Sequence, residues 1–355
     1  DETAGSTGAV VTLRPLAGGA DEVVSARWVV AADGASSPIR KGLGISLDNL
    51  GFDQDWLVVD TELLRDDVEL PALVQQICDP ERPTTFVPGH ARFRRWEFQL
   101  QPGERRDDMV DPARVWALLA PWITPHDARL VRSVVYRFHA TVASSMRSGA
   151  VLLVGDAAHQ MPPFLGQGLC SGIRDAANLS WKLQLVAAGR AGSALLDTYD
   201  GERRVHATGV VAHAADVGRL IDQLSGRTDP TTSIDAAYGG GRPFPHLSAG
   251  MLAGTHPFVG RQLPQPTLDD EPLDTALGAG FALLTGDSAS VPPETLTQWQ
   301  SVGARLVVVP GHIMAAMFLA NAAVVVVRPD RYVAAVADTA GALHAITGAL
   351  FEYLA

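Results

Sequence analysis

The stretch that decides how this chain is read is "GDAAHQMPPFLGQGLCSGIRDAANL", residues 155–179. Its lead-in, "AVLLVGD" (150–156), is a continuous apolar run ending in Gly-Asp, the pattern of a fully buried strand that reaches the edge of its sheet. Beyond it, from about 168 to 189, Ile173, Ala176, Ala177, Ser180, Leu183 and Ala187 recur at helical spacing. Arg174, Asn178 and Lys182 form the polar strip of that helix, and Gly189 ends it. A strand, a tight turn and a helix in this order put Gly155 and Asp156 at the carboxyl end of a sheet, where α/β folds bind ligands. Asp156 can accept hydrogen bonds there from a polyol or a ribose. Gly166, Gly168 and Gly172 let backbone approach a flat ligand, and the N–H groups of Leu169 and Cys170 open the helix at the positive end of its dipole. Glycines alone could serve packing only. Gly-Asp, His159, Pro162-Pro163 and Gly-x-Gly together point to a planar, anionic guest, with His159 read as part of the turn's architecture.

Working outward, "AADGASSPIR" (31–40) is a second strand end marked by Asp33-Gly34, followed by small residues, Pro38 and Arg40. Residues 9–32 before it read as one β-hairpin around "AGGADE". Residues 51–143 read as a mixed sheet with one helix, "DPARVWALLAPW" (111–122), which has Asp111 as N-cap and Pro112 in its first position. In "RRWEFQL" (94–100), alternation puts Trp96, Phe98 and Leu100 on one face and Arg95, Glu97 and Gln99 on the other.

Residues 193–224 predict a long helix with weak points at Gly201 and Gly209, and the Pro/Gly-rich segment 228–279 predicts a linker. The tail, 280–355, has the order strand, helix, strand, hairpin with a turn at Pro329-Asp330, then helix, which suggests a thioredoxin-like sandwich. It lacks Cys-x-x-Cys and hence dithiol chemistry.

Composition narrows the function classes. A net charge of −11 gives no electrostatic footprint for nucleic acid or an anionic membrane. The two cysteines, Cys78 and Cys170, form no zinc cluster or disulfide framework, so no metal site is expected and a reducing, cytoplasmic setting is. "IMAAMFLANAAVVVV" (313–327) is too short to span a bilayer and reads as buried helix followed by buried strand. "DETAGSTGAV" (1–10) has no signal-peptide pattern.

"DGASSPIR" (33–40) and "GDAAHQMPPFLGQG" (155–168), in this order, resemble the Asp-Gly and Gly-Asp motifs of the flavoprotein aromatic hydroxylases, single-component FAD-dependent monooxygenases. "CDPERPTTFVPG" (78–89), "RRWEFQLQPGE" (94–104) and "GQGLCSGIRDAANLSWKL" (166–183) are most similar to the branch containing 3-(3-hydroxyphenyl)propionate hydroxylase. The thioredoxin-like tail is typical of the phenol hydroxylase side of the family.

The resemblance implies an α/β fold of mixed α+β character. Residues 1–50 would be the remaining part of a Rossmann-like FAD-binding domain, 51–143 a mixed-sheet substrate domain and 144–227 the return of the FAD domain. The linker 228–279 and the thioredoxin-like domain 280–355 would follow. Asp156 would hold the ribityl hydroxyls and Pro163 would lie near the reactive face of the flavin ring. Backbone N–H groups of Gly168, Leu169 and Cys170 would reach flavin N1 and O2. Helix-dipole stabilisation of the reduced ring would be roughly 0.3–2 kcal/mol. Gly155 and Gly166 shape this turn, while Asp33, Gly34 and Arg40 would organise the flavin and nicotinamide side.

NAD(P)H would be the co-substrate, and a flavin C4a-hydroperoxide would oxygenate a small phenolic substrate with O2. Substrate contacts would come from Arg95, Trp96 or Phe98, with the alternative that Trp96 and Phe98 are core and Arg95 is solvated. The resemblance names no catalytic base and leaves a homo-oligomer open.

The family's Gly-x-Gly-x-x-Gly pyrophosphate turn does not precede residue 33, and "GAGFAL" (278–283) has the wrong spacing to replace it, so an N-terminally incomplete form is expected. A polyketide-tailoring hydroxylase of the same superfamily and a non-catalytic binding or oligomerisation fragment are the alternatives.

Overall fold

β-Branched residues on either side of the Gly18-Gly19 turn give β1 (Ala9–Leu13) and β2 (Glu22–Ala26), which pair antiparallel. In this computed structural model, which describes residues 8–228, 245–317 and 319–355, that hairpin stops at Ala26. Val29–Ala31 (β3) turns away from it, and a short helix, α1 (Pro38–Gly42), follows.

The chain then builds the roof of the molecule. Its strands are β4 (Leu47–Leu63), β5 (Gln75–Ile77), β6 (Thr84–Pro88) and β7 (Phe93–Gln99), and, after helices α2 (Arg106–Met109) and α3 (Pro112–Leu119), β8 (Ala128–Ala143). Asp111 caps α3 by accepting from the N–H groups of Ala113 and Arg114, and Pro112 takes the first position where a missing N–H costs nothing. Next come β9 (Arg147–Ser148), β10 (Val151–Leu153) and β11 (His159–Gln160).

The roof is a six-stranded sheet in the order β11-β8-β4-β7-β6-β5. One face packs Leu57, Val59, Phe86, Trp96 and Phe98 against Met109, Val115 and Leu119 of the two short helices. A smaller sheet, β3-β10-β9, puts the Asp-Gly strand parallel beside the Gly-Asp strand. This corrects the single hairpin read over 9–32. Ala31, Leu152 and Leu153 share the main core, and that long-range burial outweighs a local continuation of the hairpin.

Two helices pass beneath, α4 (Gly168–Ala187) and α5 (Thr198–Leu224). α5 runs unbroken through Gly201 and Gly209. A Cβ at Gly209 would lie 2.8 Å from the Pro245 ring, so close packing rather than helix weakness explains that residue. Val211, Ala214, Val217 and Ile221 of α5 meet Trp56, Val58 and Phe138 on the second face of the roof.

α4 is turned the opposite way from the sequence expectation. Ile173, Ala176, Ala177, Ser180 and Ala187 are exposed, while Asp175, Asn178 and Lys182 are buried. Partners elsewhere in the chain explain the inversion. Lys182 Nζ lies 2.8 Å from Glu202 Oε2 on α5, and Arg328 Nη2 lies 2.6 Å from both Glu202 Oε2 and Asp330 Oδ2. Asn178 donates to Glu202 at 2.7 Å and to Asp330 at 2.9 Å. Two cations and two carboxylates thus neutralise one another inside the fold, as buried charge requires.

Of the expected linker, 229–244 lie outside the described residues, and 245–279 are packed. Leu247, Met251, Leu263, Leu273 and Leu277 are buried, and the Gly260 N–H donates to the Val333 carbonyl at 2.9 Å. The segment carries a two-residue pair, β12 (Thr267–Leu268) and β13 (Glu271–Pro272), and α6 (Leu273–Leu277).

The tail comprises β14 (Ala282–Thr285), α7 (Pro293–Ser301), β15 (Arg305–Val308), α8 (Gly311–Ala316), β16 (Val324–Val327), β17 (Val333–Ala337) and α9 (Ala340–Phe351). Its sheet order is β15-β14-β16-β17, with β14 and β15 parallel and the other pairs antiparallel, and the hairpin read at Pro329-Asp330 is the β16-β17 pair. The apolar run 313–327 divides between α8 and β16, and among the described residues no helix is long and apolar enough to cross a membrane.

Candidate functional site

β10 delivers its chain to the Gly-Asp turn at the carboxyl end of the small sheet, where Val154 N–H still donates to the Ala31 carbonyl at 3.0 Å. Gly155 then adopts φ +58°, a left-handed conformation that a side chain would strain. A Cβ built on Gly172 would sit 3.4 Å from Gly155 Cα, so Gly172 serves the contact between turn and helix rather than a ligand.

The turn is fixed from below by Asp175. Its carboxylate accepts from the Gly155 N–H at 3.0 Å and from Arg203 Nε at 2.8 Å, and it lies 2.7 Å from His159 Nε2. Burial would raise the Asp175 carboxyl, but His159, Arg203 and the Gly155 N–H together hold it below the usual range. His159 is therefore architecture of the turn, as its sequence context suggested. Asp175 and Arg203 were missed. The available signal was the polar stripe Ser171, Asp175, Asn178 and Lys182 at helical spacing along α4.

The Asp-Gly motif is locked onto this turn. Asp33 accepts from the Ile39 N–H at 3.0 Å, and Ser37 caps α1 through the Arg40 N–H at 2.9 Å. Slight burial pushes the Asp33 carboxyl up, and hydrogen bonds from Ser37 and Ile39 with the charge of Arg40 bring it below its ordinary value. Arg40, itself buried, donates to the carbonyls of Ala35 at 3.2 Å and Ala157 at 2.9 Å, and Gln160 donates to Ala35 at 3.1 Å. Two motifs far apart in sequence form one wall.

In front of that wall opens a cavity of about 510 Å³ lined by Asp156, Pro163, Gly166, Gly168 and Leu169 on one side and by Ala35 on another. Residues 136–139 of β8, with Gln160 and Met161, complete it. The Gln167 side chain does not cap α4, so the first N–H groups of a 20-residue helix are left without an intrahelical or side-chain acceptor. Leu169 is 78% exposed at its mouth. Gly166, at φ +62°, and Gly168 would each carry a Cβ with no atom within 4 Å, which leaves a flat surface of bare backbone. The donor set is a carboxylate for hydroxyls and helix N–H groups for an anionic edge, so these residues fit a polyol-linked planar ring such as the flavin of FAD.

Asp33, which is exposed, and Gly34, Arg40 and Gly155 do not line this cavity, and Cys170, half-buried, sits in the first turn of α4. Strand register separates the three substrate candidates. Asp60 is paired with both Arg95 and Arg132, and Trp56 with both Gln99 and Tyr136, so Arg95 shares the roof face of Tyr136. Its guanidinium is held by Asp60 at 2.7 Å. Trp96 and Phe98 point the other way, into the core with Phe86 and Trp122, and cannot meet a ligand in this cavity. Tyr136 and Phe138, one alternation apart in "VVYRFHA" (134–140), are the aromatic side chains that the roof presents instead.

Residues 3–214 match the FAD binding domain family, and residues 256–354 match the C-terminal domain of aromatic-ring hydroxylases. The chain belongs to the FAD-dependent aromatic hydroxylases. It is 38% identical over 280 residues to a probable NADH-specific resorcinol 4-hydroxylase of Rhodococcus jostii, an alignment covering 77% of this chain and 52% of that protein. It is 34% identical to the 3-(3-hydroxy-phenyl)propionate/3-hydroxycinnamic acid hydroxylase of Burkholderia cenocepacia, covering 97% of this chain and 72% of that protein. The chain thus spans about half to three quarters of the length of these relatives.

Among solved structures, aklavinone-11 hydroxylase with FAD and aklavinone superposes with a TM-score of 0.79 at 24% identity, covering 98% of this chain and 71% of that one. The flavin-dependent monooxygenase PieE with FAD and substrate gives 0.79 at 23% identity, covering 98% and 73%. At that identity these two establish the aromatic hydroxylase fold. The packed segment before β14 falls largely within the matched C-terminal domain, which accounts for its burial.

Proposed function

We propose that this chain carries the flavin-ring end of a hydroxylase that consumes NAD(P)H and O2 and adds one oxygen atom to a small phenolic ring, of the 3-(3-hydroxyphenyl)propionate or resorcinol type. The supporting observation is the placement of the Asp156 carboxylate and the uncapped start of α4 on one cavity, beneath Tyr136 and Phe138. The reaction balances as phenol, O2, NAD(P)H and a proton giving the hydroxylated phenol, water and NAD(P)+.

FAD, when bound and reduced, supplies the activation of O2. Everything else falls to the side chains and backbone. Asp156 accepts hydrogen bonds from ribityl hydroxyls. Gly168, Leu169 and Cys170 N–H groups stabilise negative charge on the edge of the ring, supported by the dipole of α4. Pro163, Met161, Phe138 and Tyr136 keep water from the reacting atoms and offer apolar and aromatic surface to the substrate. The Asp175–His159–Arg203 cluster holds the Gly-Asp turn rigid while this happens.

The preference for a small phenol rests on the names of the relatives at 38% and 34% identity, resorcinol and 3-(3-hydroxy-phenyl)propionate hydroxylases, against the aklavinone-bound neighbour at 24%. The test is to purify the chain, record bound flavin by its visible absorption, and follow NADH and NADPH oxidation with resorcinol, 3-(3-hydroxyphenyl)propionate and polycyclic phenols. Product is scored as hydroxylated ring against H2O2. Flavin retention with hydroxylation of the small phenols is the expected result. Hydroxylation of polycyclic phenols alone would replace the substrate class, and flavin binding without turnover would make the chain a binding module. Absence of both flavin and phenol-stimulated oxidation would overturn the reading.

A further inference from the structure

Glu202 of α5 is fully buried and collects donors from distant parts of the chain. Its Oε2 accepts from Asn178 Nδ2 at 2.7 Å and from Lys182 Nζ at 2.8 Å, both on α4, and its Oε1 accepts from the Met251 N–H at 3.0 Å. The guanidinium of Arg328, buried in the C-terminal domain just beyond β16, spans both oxygens, with Nη1 2.9 Å from Oε1 and Nη2 2.6 Å from Oε2. Asp330 accepts from the Nε of the same guanidinium at 3.0 Å. Gly250, at φ +89°, is pressed onto the Glu202 carboxylate, where a Cβ would overlap it.

The same turn of α5 holds the Gly-Asp turn. Arg203, the next residue, donates from Nε to Asp175 Oδ1 at 2.8 Å, and Asp175 Oδ2 accepts from the Gly155 N–H at 3.0 Å. Tyr199, buried and one turn earlier, donates its hydroxyl to the carbonyl of Leu153, the last residue of β10, at 2.8 Å. Asp200 accepts from the Met146 N–H at 2.6 Å, just before β9. Residues 199–203 rise only about 6 Å along the helix, so they move together. A displacement of Glu202 is therefore passed to Tyr199 and Arg203, and hydrogen bonds already at 2.8–3.0 Å weaken as they lengthen.

We propose that Arg328 of the C-terminal domain is a positioning residue for the Gly-Asp turn: by clasping the Glu202 carboxylate it fixes the first turn of α5, and that turn fixes Gly155 and Asp156. The C-terminal domain then belongs to the scaffold of the flavin site, although none of its described residues lines the cavity at Asp156. The planar fork matters as well as the charge, because one guanidinium bridges Glu202 and Asp330 and an ammonium cannot reproduce that geometry. The consequence for FAD rests on the function proposed above, whereas the hold on the turn does not.

Arg328→Lys and Asp330→Asn in the full chain test it, with circular dichroism and urea unfolding used to verify that each variant is folded. The first readout needs no flavin: hydrogen exchange followed by mass spectrometry, comparing a peptide that contains Gly155 with one that contains β7 of the roof. The Gly155 amide is expected to exchange about tenfold faster or more in both variants while the roof peptide keeps the parent rate. The FAD Kd, from quenching of flavin fluorescence, is expected to weaken about tenfold. Arg203→Lys, which alters the Asp175 contact directly, should reproduce both effects with Arg328 intact. Asp330→Asn, the milder change, carries the comparison where the lysine variant does not fold. Parent-like exchange at Gly155 in a folded variant, or acceleration shared equally by turn and roof, would overturn the proposal. A parent chain that binds no FAD would sink the proposed function instead, and the exchange comparison would still decide the role of Arg328.

Discussion

The guanidinium of Arg40 donates to the carbonyl of Ala157 at 2.9 Å, joining two turns that are 117 residues apart in sequence. The same group holds the Ala35 carbonyl, so one buried side chain sets the spacing between the Asp-Gly and Gly-Asp motifs. Arg40→Ala removes these charge-assisted bonds and is expected to cost about 3 kcal/mol of stability and to weaken FAD binding about tenfold. Arg40→Lys should recover only part of either, because an ammonium cannot reproduce the planar fork. Urea unfolding and flavin titration of the two variants check this.

Asp156 differs from its neighbours in being exposed on the cavity wall and free of any role in the turn itself. Asp156→Ala should therefore leave the unfolding free energy within about 0.5 kcal/mol of the parent. FAD affinity should nevertheless fall on the order of 10–100-fold, from loss of charge-assisted bonds to the ribityl chain. A variant that loses stability and flavin together would show Asp156 to be structural instead.

The parts of the fold that were legible in the sequence are those whose causes are local. Asp111-Pro112 starts α3 with contacts made within three residues, and the β-branched run on either side of Pro329-Asp330 folds back on itself as the expected hairpin. What misled is equally specific. The strand Val29–Ala31 follows the hairpin in sequence but pairs with Val151–Leu153. Asn178 and Lys182 look like a solvated strip because their partners, Glu202, Arg328 and Asp330, lie on other elements. Trp96 and Phe98 were legible as one face of a strand, but which face met the cavity depended on where α2 and α3 packed. At the site itself, Asp156, Pro163, Gly166, Gly168 and Leu169 line one cavity, as a contiguous turn and helix start allow.

The buried cluster around Glu202 makes a further prediction. Burial would raise its carboxyl, but Arg328 and Lys182 hold it well below the carboxylate range. Glu202→Gln leaves both cations short of a counter-charge and is expected to cost about 3–5 kcal/mol. Adding Arg328→Met should cost less than the sum of the two single changes by at least about 1 kcal/mol, because the second removes a charge that the first stranded. A double-mutant cycle by chemical unfolding measures the coupling. As Glu202 and Arg328 lie on opposite sides of the seam with the C-terminal domain, the same cycle reports how firmly that domain is fixed to α4 and α5.

Glu97 provides the pH test. It sits on the roof between Val58 and Thr85, buried, and burial followed by the charge of Asp60 pushes its carboxyl up to about 7 against the opposing pull of Arg95. An unfolded glutamate releases its proton near 4.3, so between that pH and about 7 the folded chain holds a proton that the unfolded chain has lost. Stability must then fall as pH rises through this window, by up to about 3 kcal/mol from this residue once pH exceeds 7. Asp175 and Glu202, with depressed carboxyls, act in the opposite sense and lose their contribution only as pH drops below the ordinary carboxylate range. Glu97→Gln keeps the shape and removes the titration. The variant is expected to match the parent near pH 4.5 and to exceed it by about 2–3 kcal/mol at pH 8. Urea unfolding of both proteins from pH 4.5 to 8 decides it, because every other titrating group is shared and cancels in the difference. Parallel profiles would place the Glu97 carboxylate in a solvated or paired state instead.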